Sequence, residues 1–158
     1  MRWQDVCEHP SLKNLPFKIE LDEYGKIIMS PVKVSHSAFQ GEIEFMLRTL
    51  LKTGKTLPEC AIKTSKGTKV ADVAWTSLER FQIIKEEVEC SIAPEICIEV
   101  ISSSNSTKEM DEKRALYFEA GAKEFWICDE NGALSFFDKD SKLSKSSLVP
   151  QFPAKINW

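Results

Sequence analysis

The chain reads as an α/β protein, a mixed central β-sheet flanked by helices, and three observations predict it. The run PEICIEVIS, beyond the midpoint of the 158 residues, is apolar on both sides of its alternation, as expected of a central strand covered on both faces. Helical periodicity occurs on either side of that run, over residues 34–53 and 107–120. KEFWICD and ALSFFD, separated by Glu130-Asn131-Gly132, make a hairpin pattern after it. Strands interleaved with helices in this order build one sheet of mixed strand direction.

The elements follow in chain order. RWQDVCEH forms a short opening helix, and residues 11–16 lead as a loop into FKIELDEYGKIIMS, two β-rich runs about an Asp-Glu-Tyr-Gly turn. From Val34 to Thr53 the residues Phe39, Ile43, Met46, Leu47, Leu50 and Leu51 recur on one helical face, with Gly54 as the stop. CAIKT and KVADVAW are strands joined by Ser65-Lys66-Gly67-Thr68, and TSLERFQII opens a short helix with a capping box of Thr76 and Glu79. The charged KEEVE is a solvated connection. After PEICIEVIS the polar SSSNS makes a turn, Thr107 caps the next helix and Gly121 stops it. Phe125, Trp126, Phe136 and Phe137 belong to the core or to packed sheet faces.

With 42% hydrophobic and 28% charged residues, the composition fits one globular domain over residues 1–158. No apolar run is long enough to span a bilayer, and MRWQDVCEHP lacks the basic-then-apolar order of a signal peptide, so a soluble, cytoplasmic protein is expected. Five cysteines without a CxxC pair argue against a disulfide framework or a zinc site. The net charge of -3 leaves nucleic acid open, because an acidic protein can carry a local basic groove. A small-molecule hydrolase is disfavoured: there is no nucleophile elbow, no metal-ligating histidine pair and no phosphate-cradling glycine loop.

Two carboxylates stand out. Asp72 in VADVAW and Glu99 in EICIEVIS each interrupt an apolar strand, where an uncompensated charge costs several kcal/mol, roughly, and is therefore neutralised, paired or used to hold a cation. Adjacent strands run about 4.8 Å apart, so if these two pair, both acids can reach one divalent ion, for which Mg²⁺ is well suited. Alternation puts Cys97, Glu99 and Ile101 on one face, so the compensating cation comes from another element. Lys113 is the candidate, since it interrupts the stripe Met110, Lys113, Tyr117, Ala120 and so faces the sheet. His36 and Gln40 continue the stripe of Ile43, Leu47 and Leu50. Gln40 is positioned to hold a metal-associated water, Glu44 lies toward the flank, and His36 is read as a helix-start residue without a catalytic role. The trio of Asp72, Glu99 and Lys113 is thus either a metal site or a buried ion-pair network without metal. If it is a metal site, the two acids repel when no ion is present, and Asp72→Asn is expected to leave the fold intact or slightly more stable.

VADVAW, PEICIEVISSSNS, EKRALYFEAGAKEFWICD and the opening LPFKIELDEYGKIIMSP together resemble the Uma-two family of restriction endonuclease-like proteins, a branch of the PD-(D/E)XK nuclease superfamily. The resemblance spans nearly the whole chain and implies a restriction-endonuclease-like fold. It also implies a Mg²⁺- or Mn²⁺-dependent endonuclease acting on nucleic acid, chiefly DNA. On it, Asp72 and Glu99 match the metal-binding acids, with the backbone carbonyl of Val100 as a further ligand, and Lys113 matches a lysine that has moved from the strand to the following helix. Ile101 occupies the usual lysine position two residues after the glutamate, Ala71 stands where the motif has proline, and Ser103 where the family often has proline. The missing strand lysine keeps a second expectation open, a catalytically inactive nucleic-acid-binding or interaction domain of the same fold. A homodimer is expected by analogy with nucleases that cut both strands.

Overall fold

Eight strands and four α-helices form along residues 1–158, all of which are described by the computed structural model. In chain order they are α1 (Trp3–Glu8), β1 (Phe17–Leu21), β2 (Ile27–Pro31), α2 (Val34–Leu50), β3 (Lys55–Thr64), β4 (Gly67–Thr76), α3 (Leu78–Ile84), β5 (Ile96–Val100), α4 (Thr107–Glu119), β6 (Glu124–Cys128), β7 (Leu134–Phe137) and β8 (Lys142–Leu143). No helix is long and apolar enough to cross a membrane.

The main sheet has six strands in the order β3-β4-β5-β6-β7-β8. Only β5 and β6 run parallel, because α4 carries the chain back between them; the other neighbours are antiparallel. All five residues of β5 are buried, Glu99 included, as a run that is otherwise apolar requires of a strand covered on both faces. One face packs under α2, where Phe39, Ile43 and Leu47 meet Val73, Ile96, Ile98 and Trp126. Each such side chain contributes about 1.5–3 kcal/mol relative to exposure. The other face gathers Ala74, Cys97 and Phe125 against Met110 and Tyr117 of α4.

The predicted first hairpin forms, but β1 and β2 make a separate two-stranded ribbon outside the main sheet. The ribbon lies against β4, where the Lys69 ammonium donates to the carbonyl of Leu21 at 3.3 Å. Gly67, at φ 88°, lets its backbone abut Leu21 and Asp22 where any Cβ would collide.

Several boundaries differ from the sequence reading, each for a local reason. Helix α2 ends at Leu50, and Gly54 (φ 81°) belongs to the turn into β3, packed against the Trp75 ring. Strand β3 begins at Lys55, five residues before CAIKT; it tolerates Pro58 because it is an edge strand and needs no outward N–H. The caps shift by one residue: Ser77 accepts from the Arg80 N–H and Ser106 from the Glu109 N–H. Thr76 is instead a buried strand-end residue whose hydroxyl meets Glu95, and Thr107 is the first residue of α4.

Candidate active site

Antiparallel pairing brings the two acids together. The β4–β5 ladder pairs Val73 with Ile98, and one further step in that register sets Asp72 opposite Glu99, on the face covered by α4. Beyond Val73 a side chain takes over from the ladder: Asp72 Oδ2 accepts from the Val100 N–H at 2.7 Å. The expected Val100 contribution was its carbonyl; what the structure shows Val100 doing here is donating its N–H to Asp72. On the other flank, β3 pairs through Pro58 and Cys60 with Val73 and Ala71 but not through Glu59, whose φ of 48° takes it out of the ladder beside Asp72.

Lys113 reaches this point from α4. Its ammonium lies 3.1 Å from Glu99 Oε1 and 3.0 Å from Glu20 Oε2, and the same Glu99 oxygen accepts from the Tyr117 hydroxyl at 2.8 Å. One helical turn separates Lys113 from Tyr117, so both converge on one carboxylate. Gln40 does not join them: it is half-buried on α2 and lies outside the cleft above these acids. Glu44, two turns beyond His36, is also outside it. His36, in the first turn of α2, does reach the site, and its Nε2 lies 3.3 Å from Asp72 Oδ2. The other ring nitrogen, Nδ1, is buried without a partner.

Three participants come from where the sequence offered little sign of a site. Lys18 of β1 places its ammonium 3.1 Å from Asp72 Oδ1 and 3.0 Å from Glu99 Oε2. Glu20, two residues along the same strand face, accepts from the Val70 N–H at 2.7 Å besides meeting Lys113. Tyr117 looked like an ordinary core aromatic. The period-two spacing of Lys18 and Glu20 was legible, but the polar face of a hairpin normally meets water.

Three carboxylates therefore face two ammonium groups and one imidazole, and their protonation follows from position. Burial is the largest influence on Asp72 and raises its carboxyl, but Lys18 and His36 outweigh it and hold the group well below the usual carboxylate range. Burial likewise raises Glu20, and Lys113, Lys18 and the Val70 N–H reverse that to a net lowering. At Glu99 burial wins over both lysines, and the carboxyl is raised. Lys18 is depressed by burial yet raised overall by Glu99, Asp72 and Glu20. The hydrogen bond to Asp72 raises His36. Burial, followed by the nearby Glu99 and Glu20 charges, raises the Tyr117 phenol, so it acts here as a neutral donor.

All of these groups except the fully buried Tyr117 line the floor of a cleft of about 440 Å³. Its walls come from β2 and the following connection, the first turns of α2, residues 101–105 and the Glu130–Asn131 turn. The acids offer only oxygen donors, which suits Mg²⁺ or Mn²⁺, and the Lys18 ammonium marks a point between Asp72 and Glu99 where a cation is stabilised. The residues present thus fit a divalent ion. No three His, Cys, Asp or Glu side chains are gathered to form a metal-ligand set by themselves, so an ion would complete its shell with water or substrate oxygen.

Curated proteins give no match to the chain. Among solved structures, the crystal structure of "a putative nuclease belonging to DUF820" from Anabaena variabilis is similar at a TM-score of 0.68 and 21% identity, covering 87% of this chain and 82% of that one. At that identity the likeness shows the fold, which in this chain is a mixed six-stranded sheet flanked by helices. The sequence model of the Uma2 family, described as "Putative restriction endonuclease", matches residues 3–154, and the chain belongs to the Uma2 family.

Proposed function

We propose that this protein is a metal-dependent endonuclease, one catalytic domain over residues 1–158, that hydrolyses phosphodiester bonds in DNA using Mg²⁺ or Mn²⁺. The observation that carries the proposal is the convergence of Asp72 and Glu99 from adjacent strands, with the Lys113 ammonium on Glu99, at the floor of an open polar cleft. When bound, the ion supplies Lewis acidity toward the phosphodiester and acidifies water. Asp72, locked by the Val100 N–H and His36 and kept ionised, would be one ligand and Glu99 the other.

The remaining residues keep those ligands in place. Tyr117 and Lys113 orient Glu99 through one oxygen. Lys113 also offers a fixed positive charge at the cleft floor, suited to orienting water and to offsetting charge that builds on the phosphate. Gln40 stands outside this constellation, and His36 takes the place on α2 expected for it.

Two observations favour the inactive binding domain. Ile101 replaces the usual strand lysine, and all four oxygens of Asp72 and Glu99 already have partners within the chain. Cleavage assays separate the two. Purified native protein, Glu99→Gln and Lys113→Met would be incubated with plasmid DNA, linear single-stranded DNA and RNA in Mg²⁺, Mn²⁺ or EDTA. Metal-stimulated cutting of DNA by the native chain alone is expected. Cutting that survives Glu99→Gln, or metal binding without cutting of any substrate, would overturn the nuclease reading.

A further inference from the structure

Lys18 occupies the place a divalent ion needs. Its ammonium bridges Asp72 Oδ1 at 3.1 Å and Glu99 Oε2 at 3.0 Å, the two oxygens not otherwise engaged. Asp72 Oδ2 is taken by the Val100 N–H and His36, and Glu99 Oε1 by Lys113 and Tyr117. An ion shared by the two acids must use the oxygens that Lys18 holds, at about 2.0–2.1 Å for Mg²⁺. An ammonium cannot remain within contact distance of the same oxygens without facing the ion at close range in a poorly screened site.

We infer that Lys18 is an intramolecular competitor for the metal: its ammonium neutralises Asp72 and Glu99 in the metal-free protein and must leave for a divalent ion to enter. This rests on the reading of Asp72 and Glu99 as the metal-binding acids. The fold permits the exchange. Lys18 belongs to the β1–β2 ribbon, which is anchored to β4 near its turn by Leu21, Asp22, Gly67 and Lys69, three or more residues from Lys18. Glu20, held by Lys113 and the Val70 N–H, keeps the strand backbone in place, so the flexible lysine stem can swing into the cleft while the strand stays seated. The device removes the main disadvantage of an empty acidic site, unpaired buried carboxylates, and makes metal affinity depend on a residue from a different sheet.

Mn²⁺ binding tests this directly, by titration calorimetry and by paramagnetic resonance of free Mn²⁺, on native protein, Lys18→Met and Asp72→Asn. The expected result is Mn²⁺ binding roughly tenfold or more tighter in Lys18→Met than in the native chain. The variant should also melt lower without metal and gain more in Tm when Mn²⁺ is added. Equal or weaker binding by Lys18→Met, with binding still lost in Asp72→Asn, overturns the competitor role and leaves the metal site standing. Absence of Mn²⁺ binding in every folded variant overturns both. Should Lys18→Met be unfolded in EDTA, circular dichroism on adding Mn²⁺ gives the same answer. Recovery of the folded signal supports the exchange, and its failure, alongside a native chain that binds, refutes it.

Discussion

Replacing Lys113 by methionine keeps most of the buried stem and removes only the ammonium that joins Glu99 to Glu20. Breaking a buried ion pair costs about 3–5 kcal/mol, because the partner is left charged and unpaired. Here Glu99 would keep Lys18 and Tyr117, and Glu20 would keep the Val70 N–H, so the lower end, about 3 kcal/mol near neutral pH, is expected. The loss should depend on pH with a definite sign. Burial already raises the Glu99 carboxyl above 4.5, and without Lys113 it rises further. A carboxyl with a raised folded pKa destabilises the protein when ionised and ceases to do so as pH falls through that raised value toward 4.5. The gap between native and Lys113→Met should therefore be widest above the raised folded value and narrow as pH falls through it toward 4.5. Urea unfolding followed by tryptophan fluorescence, with Trp126 fully buried in the core, measures both. A loss below about 1 kcal/mol, or one that does not change with pH, would mean that Lys113 does not carry this pair. Adding Glu99→Gln to Lys113→Met should restore part of the loss, since the unpaired charge is then gone.

Asp72→Asn should lower stability in the absence of metal, the reverse of the sequence expectation, because Lys18, His36 and the Val100 N–H all favour the charged form. The contribution of Asp72, present above 3.8 and lost as pH falls through its depressed folded value, should vanish from the acid limb of the unfolding curve of that variant. His36 behaves oppositely: its raised pKa stabilises the fold fully below 6.5 and the effect is lost as pH rises through the folded value. The stability difference between native and His36→Gln, measured by thermal melts across that range, should shrink upward in pH, and a flat difference would rule out the contact with Asp72. Glu124, a buried acid of β6, accepts from Trp126 Nε1, the Ser146 hydroxyl and the Ser147 and Leu148 N–H groups. Glu124→Ala should cost about 3 kcal/mol or more in urea unfolding, while Mn²⁺ affinity stays unchanged.

Glu124 and Glu99 show how far the sequence carries. Both are buried acids in strands, but only Glu99 stands out in the sequence, because Glu124 opens its strand beside Lys123 and is not flanked by apolar residues on both sides. One is satisfied by a terminal segment that it pins, the other by two lysines and a tyrosine above a cleft. The strand containing Glu99, the strand containing Asp72 and the inward phase of Lys113 were legible because periodicity and apolar flanks are local properties of the chain. The family was legible for the same reason, since its motifs lie on those segments. Helical phase also put His36 and Gln40 on one stripe, but a turn of helix advances about 5.4 Å, enough that only the first turn of α2 meets Asp72. Lys18 contacts residues 54 and 81 positions away, across two different sheets. Alternation along β1 determines that Lys18 and Glu20 share a face. What covers that face depends on how the ribbon docks on β4, a long-range packing outcome that turns a polar hairpin surface into the wall of a buried acidic site.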